Sequence, residues 1–230
     1  MTRILESFVT ILLLAVSTLS AQTTPPPRQI GVSVQMAVTE SAQPMPAADD
    51  ANAWVVTIDH TGTVFFRSNR TDVTELTEWM KAHPRDRAAT LYVKADVGTP
   101  FGIVHKVLDA GRNVWFDTPV LLTSQFAPAS LTGLVPPMGE AVQMKPPAAK
   151  DSISVQVLKT NHPTPLVKIN NQPIPSNAFA LTLGSVLQTQ REKDKTIVLK
   201  ADDHLLFADV VHVIDECHSA GANVALGNLE

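Results

Sequence analysis

Apolar positions recur with regular spacing in two segments of the chain and lose that regularity before and between them. In the first segment, Trp54 to Ile58 and Thr63 to Arg67 are short β-branched and aromatic runs on either side of His60-Thr61-Gly62, which predicts a hairpin. Val73, Leu76, Trp79 and Met80 then fall on one face of a helix, Asp72 and Glu75 stand at capping-box spacing at its start, and Pro84 ends the run. Thr90 to Val93 predicts a buried strand. Thr99-Pro100 opens a second helix with Phe101, Val104, Val107 and Leu108 inward and Gly111 at its end, and Val114 to Phe116 begins a last strand. The predicted order is β-β-α-β-α-β.

The second segment repeats that order. Ile153 to Leu158 and Leu166 to Ile169 predict strands, and a helix after Ser176 turns Phe179, Leu183, Val186 and Leu187 inward. Thr196 to Leu199, Phe207 to His218 and Asn223 to Leu226 follow as strand, helix and strand. The residues themselves also repeat. Lys94-Ala95-Asp96 matches Lys200-Ala201-Asp202, Phe101 matches Phe207, and Val104, Val107 and Asp109 match Val210, Val213 and Asp215, all at a spacing of 106. Ala110-Gly111 and Asn113-Val114 match Ala220-Gly221 and Asn223-Val224 at a spacing of 110, so the first copy is expected to lack about one helical turn. The economical architecture is α+β: two tandem β-β-α-β-α-β domains, each a small sheet with two helices on one face.

Proline sets the boundaries. Pro25, Pro26, Pro27, Pro44 and Pro46 mark residues 22–52 as a linker in which only Ile30 to Val38 is strand-like, and Pro128, Pro136, Pro137, Pro146 and Pro147 mark 124–150 as a second linker. The domains are thus 53–123 and 151–230. Residues 1–21 carry Arg3, an apolar run from Phe8 to Leu19, and Ser20-Ala21, which fits a signal peptide or a short membrane anchor. Either way the rest of the chain is expected outside the cytoplasm.

Composition narrows the function classes. A formal net charge of -4 supplies no basic field for phosphates, so no nucleic-acid partner is expected. The single cysteine, Cys217, excludes an internal disulfide framework and reads as a small core residue at the end of an apolar stripe. His212 and Glu216 share a helical face as two metal ligands might, but with Asp215 they are expected on the solvated side of that helix, and no metal site is assigned. Asp96 and Asp202 end strands, where carboxylates cap turns. No G-x-S-x-G, P-loop or dinucleotide fingerprint is present, so neither an enzyme nor a cofactor is expected.

The block that runs from a strand ending in Lys-Ala-Asp, through Phe and Val-Val-x-Val-Ile-Asp, to Ala-Gly and a final strand resembles the periplasmic domain of the ExbD/TolR biopolymer transport proteins, and the second copy is the better match. Its motif positions are Lys94, Asp96, Phe101, Asp109 and Gly111, and Lys200, Asp202, Phe207, Asp215 and Gly221. The resemblance implies a component of a proton-gradient-driven transport system in the bacterial envelope, facing the periplasm, with an ExbB/TolQ-like membrane subunit and a TonB/TolA-like periplasmic protein as partners. It also implies a proton-carrying carboxylate near the start of the membrane helix, because a carboxylate in an apolar pore must neutralise or find a partner. Glu6 occupies that place, where the family has Asp preceded by Pro. The alternative the sequence leaves open is an exported binding module of the same fold without proton coupling. A last expectation is self-pairing of the two domains with pseudo-twofold symmetry, through edge strands such as those starting at Val114 and Val224.

Overall fold

The computed structural model describes residues 30–83, 88–125, 136–146, 152–191 and 195–229. The leader and Glu6 lie outside the described residues. A two-residue strand, β1 (Gln43–Pro44), and a 3-10 turn at Pro46–Asp49 precede the first repeat. That repeat runs β2 (Trp54–Ile58), β3 (Val64–Phe66), β4 (Asn69–Thr71), α1 (Val73–Ala82), β5 (Leu91–Ala95), α2 (Phe101–Arg112) and β6 (Val120–Thr123). Between the repeats lies β7 (Met138–Ala141). The second repeat runs β8 (Ile153–Leu158), β9 (Leu166–Ile169), β10 (Gln172–Ile174), α3 (Phe179–Gln188), β11 (Thr196–Ala201), α4 (Phe207–Ser219) and β12 (Asn223–Gly227).

The two repeats share one strand order, β4-β3-β2-β5-β6 in the first and β10-β9-β8-β11-β12 in the second, with the last three strands of each order parallel and the first three antiparallel. The fold is α+β and duplicated, as the sequence predicts. Each copy holds one more strand than expected, because Asn69–Thr71 and Gln172–Ile174 are too short and too polar to show a strand pattern. Both follow tight turns built on positive φ, at Arg67 (55°) and at Asn170 and Asn171 (48° and 67°).

The helix-facing side of each sheet is the core. Val56, Ile58, Val93 and Leu121 meet Leu76, Met80, Val104 and Leu108 in the first repeat, and Val155, Val157, Ile197 and Leu199 meet Phe179, Leu183, Val210 and Ile214 in the second. All are buried, and the two sets join in one continuous apolar cluster. Each such side chain contributes roughly 1.5–3 kcal/mol relative to exposure. Asp72 caps α1 as its spacing predicts, its Oδ1 accepting from the Glu75 backbone N–H at 2.8 Å.

Three expectations are corrected. Val114 to Phe116 is not a strand: these residues turn back on the end of α2, with the N–H groups of Val114 and Phe116 both donating to the Gly111 carbonyl, and Trp115 takes φ 73°. The last strand of the first repeat begins at Val120 instead. Gly111 does not end the helix but lies inside it, where a Cβ would stand 2.5 Å from Leu91 Cδ2, so close helix-to-sheet approach is what requires glycine. Only Gly221, at φ 86°, plays the left-handed terminating role. The two helices differ by one residue, 12 against 13, not by a turn. The spacing change read from the sequence falls in the loop after α2, and strand register pairs Tyr92 with Val120 where Val198 pairs with Ala225.

The chain around the repeats is also structured. β7 adds antiparallel to β6 and β1 adds to β7, which widens the first sheet to seven strands. Ile30 to Val38 forms no strand, only a parallel bridge between Val38 and Ser124. Ile30, Met36, Met45, Ala48 and Ala53 cover Val55, Tyr92, Val120 and Leu122 on the sheet face opposite the helices. The first sheet is thus buried on both faces, while β8 alternates between buried and half-buried positions.

Candidate functional site at the seam between the repeats

The loops that open α2 and α4 bring the repeated motif to one place. Each begins at the strand-ending aspartate. Asp96 Oδ1 accepts from the Gly98 N–H at 3.0 Å, and Asp202 Oδ1 accepts from the His204 N–H at 2.9 Å, so each carboxylate fixes the turn after its strand. The His204 N–H holds the Asp202 carboxyl below its ordinary value, against the opposing effect of burial and with help from the His204 ring.

From those turns the two loops run antiparallel and bridge at Pro100 and Leu206. The N–H of Phe101 donates to the Leu205 carbonyl and that of Phe207 to the Thr99 carbonyl, both at 2.8 Å. The N–H of Gly102 donates to Asp203 at 3.0 Å, and that of Ala208 donates to Val97 at 3.2 Å. These bonds form two pairs related by exchange of the repeats, so a pseudo-twofold axis passes through the bridge. The donors are first-turn N–H groups that have no partner within their own helices. Phe101 and Phe207 sit buried beneath the pairing.

The symmetry is local. Beside the bridge, His105 Nδ1 lies 3.6 Å from Asp203 Oδ1, in an open cleft of about 480 Å³ that Lys106, Asp202 and His204 also line. The position of His105 in the other repeat is Val211, which is buried.

Asp109 and Asp215, which match in sequence, part company in space. Asp109 stays half-exposed on α2, with Oδ1 3.2 Å from Arg112. Asp215 is buried, contrary to the solvated placement expected for it, and gathers the chain that precedes the first repeat. Its carboxylate accepts from the Glu40 N–H at 3.0 Å, the Ser41 N–H at 2.7 Å and Ser41 Oγ at 2.5 Å. Burial pushes the Asp215 carboxyl up, and the Ser41 hydroxyl and the two backbone donors more than offset it, leaving the group below its ordinary range. Ser41 Oγ lies 3.0 Å from Glu140 Oε1, and the other oxygen of Glu140 is bonded to His218 Nδ1.

Glu140 belongs to β7, so this cluster ties α4 both to the chain before the first repeat and to the chain after it. Next to it Gln143 pairs with β12, its N–H donating to the Val224 carbonyl and its carbonyl accepting from the Leu226 N–H, both at 2.8 Å. Residues 138–143 therefore cover the edges of both β6 and β12. The expected direct meeting of edge strands is replaced by a shared intervening segment. Ser41 and Glu140 escape sequence reasoning because neither lies in a predicted element or a motif, and His218, although inside the predicted helix, gives no sign there of its partner Glu140.

The remaining motif positions serve the fold. Lys94 is buried under the covering chain, and desolvation lowers its pKa while Asp49 partly restores it; Lys200 is half-exposed, since among the described residues no such segment covers the second sheet. Cys217 is fully buried, and burial first and Glu216 second push its thiol far up, which leaves it inert. His212 is exposed and 3.9 Å from Glu216. Among the described residues no three His, Cys, Asp or Glu side chains are grouped to hold a metal ion, and no helix is long and apolar enough to cross a membrane.

A family model described as Biopolymer transport protein ExbD/TolR matches residues 7–125 and, a second time, residues 118–228. Glu6 lies just before the first matched range. No curated protein and no solved structure matches the chain.

Proposed function

The chain belongs to the ExbD/TolR family of biopolymer transport proteins, and from that premise we propose that it is the periplasm-facing component of a proton-gradient-driven envelope transport system, anchored by residues 4–21. On this reading it works through protein contacts, with an ExbB/TolQ-like subunit in the membrane and a TonB/TolA-like protein in the periplasm. The observation that carries the proposal is the symmetric pairing of the two helix-opening loops, which fixes two family domains as one module. A module that transmits force from a membrane helix to a partner must hold its parts together under load. Four backbone hydrogen bonds and a shared apolar core supply that.

Glu6 carries the proton in this proposal. The test is to purify the full chain from the envelope, determine its N-terminal residue and ask whether an ExbB/TolQ-like subunit accompanies it. Met1 or Thr2 at the N-terminus, with that subunit bound and with gradient-dependent activity lost in Glu6→Gln, is the expected result. The amide matches the carboxyl in size but cannot cycle a proton. An N-terminus at Gln22 or a neighbour, with no membrane partner, would overturn the proposal in favour of an exported binding module of the same fold. The small residues Ser20-Ala21 at the end of the apolar run favour that second reading.

A further inference from the structure

The two repeats are alike in topology but not in the chemistry of one sheet end. In the first repeat Trp54, Phe66 and Trp79 form a half-open aromatic cluster, with ring centroids 5.3 Å apart for Trp54 and Trp79 and 4.1 Å apart for Phe66 and Trp79. His83 stacks on Trp79 at 3.8 Å. Strand register and helix phase put Ile153, Ile169 and Val186 at the corresponding places of the second repeat. The cluster walls a cleft of about 660 Å³ that Tyr92 and Asp50 complete, and Trp79 is 36% exposed within it.

The cleft is lined by Trp54, Phe66, Trp79 and Tyr92 with small alanines between them, and Asp50 is its one acidic wall. Such an aromatic groove suits a polyproline segment, whose rings stack on aromatic faces and whose extended backbone is largely preordered. The chain holds such a segment within reach. Pro25-Pro26-Pro27-Arg28 ends just before the first described residue, Ile30. Ile30 packs on the cluster that includes Ala53 and Tyr92, both of which line the cleft. Gly31, at φ 98°, lies between Thr57 and Arg67, where a Cβ would be 2.3 Å from Thr57 Oγ1 and 3.4 Å from the Arg67 carbonyl oxygen, and Arg67 is a further wall of the same cleft. From there the chain runs to Gln35 at the opposite end of the sheet, where its N–H reaches Asp96. Ile30 therefore lies nearer the cleft end of the sheet than Gln35 does. Three residues span at most about 11 Å, enough to bring Pro27 from Ile30 into the cleft.

We propose that the aromatic cleft of the first repeat is the docking site of the chain's own Pro25-Pro26-Pro27-Arg28, with Arg28 directed to Asp50. This rests on the cleft and on the reach of the chain, independently of the family reading. The docked prolines fix how far the paired domains stand from residues 1–21.

The test uses the full chain carrying Trp115→Asn, which leaves Trp54 and Trp79 as the only indoles. In that background the Pro25→Ala/Pro26→Ala/Pro27→Ala variant should raise acrylamide quenching of the two indoles about twofold and shift their emission to the red, because the aromatic faces are uncovered. A synthetic peptide of residues 22–29 added to the triple-alanine chain should reverse both changes, and the same peptide with alanine for proline should not. Equal quenching with and without the prolines would overturn the proposal. So would reversal by both peptides alike, and so would low quenching in every chain, which would mean that something else covers the cleft.

Discussion

Pro100 and Leu206 occupy the same position of the repeat and face each other across an antiparallel bridge, so the pseudo-twofold axis runs between two residues that are 106 apart in one chain. The backbone hydrogen bonds on either side of that axis obey the symmetry, whereas side chains close to it, such as Gly102 against Ala208, do not. The duplicated loops are constrained by each other's backbone, whereas the outer faces are constrained by segments that occur once.

The seam depends on the absence of a side chain at Gly102. A Cβ there would stand 2.7 Å from Asp203 Cβ and 3.2 Å from its carbonyl oxygen, the atom that accepts the Gly102 hydrogen bond. Gly102→Ala should therefore destabilise the pair by roughly 1–3 kcal/mol, as overpacking does. Gly184 in α3 is the control, since nothing lies within 4 Å of its missing Cβ, and Gly184→Ala should stabilise by roughly 0.5–1 kcal/mol. Urea midpoints of the two variants check both signs. A Gly102→Ala protein as stable as the parent would show that the seam tolerates separation.

Asp215 predicts how the assembly responds to acid. Its folded carboxyl is held below its ordinary value, so its contribution is fully present above the unfolded pKa of about 3.9 and is lost as pH falls through the lower folded value. The chain around Ser41 should come away from α4 in that interval. Asp215→Asn should cost roughly 1–3 kcal/mol at neutral pH by leaving the Glu40 and Ser41 donors under-satisfied, and should flatten the acid limb of stability against pH. Denaturant midpoints measured from about pH 7 to about pH 3 decide it. An unchanged acid limb in the variant would assign the acid response to other groups, of which Asp59 and Asp202 are the ones also held low.

How far the sequence discloses this protein varies with the kind of constraint. The repeat, the helix faces and the Asp96 and Asp202 turns are legible because each follows from periodicity or from local hydrogen bonding. Burial of both faces of the first sheet shows in Val55-Val56 of β2, a continuous apolar run where the matching strand β8 alternates. The segment around Glu140 is not legible, because its proline content signals spacer while its strand character comes from partners distant in sequence, β6 on one side and β1 on the other. Nor is the role of Asp215, since its helical phase is ambiguous until Ser41 arrives from another part of the chain. Gly111 shows the same limit: glycine near a helix end reads as a terminator, and only the distance to Leu91 identifies close packing.

Trp115 offers the last prediction. It holds a left-handed backbone conformation at φ 73° while its side chain is 82% exposed, so it combines a conformational cost with little burial to offset it. For a residue other than glycine that conformation costs on the order of 1–2 kcal/mol, less for asparagine, which tolerates it. Trp115→Asn should thus raise stability by roughly 0.5–1 kcal/mol without moving the seam, which a urea titration can read. The loop that carries Trp115 has no counterpart of its length after α4, where β12 begins at Asn223 directly beyond Gly221. A strained, exposed tryptophan on a loop peculiar to one repeat is the pattern of a contact residue. Trp115→Asn should accordingly weaken partner capture from the envelope while the protein itself becomes more stable. If both stability and capture are unchanged, the strain at Trp115 has neither a thermodynamic nor a functional consequence, and the argument from its backbone fails.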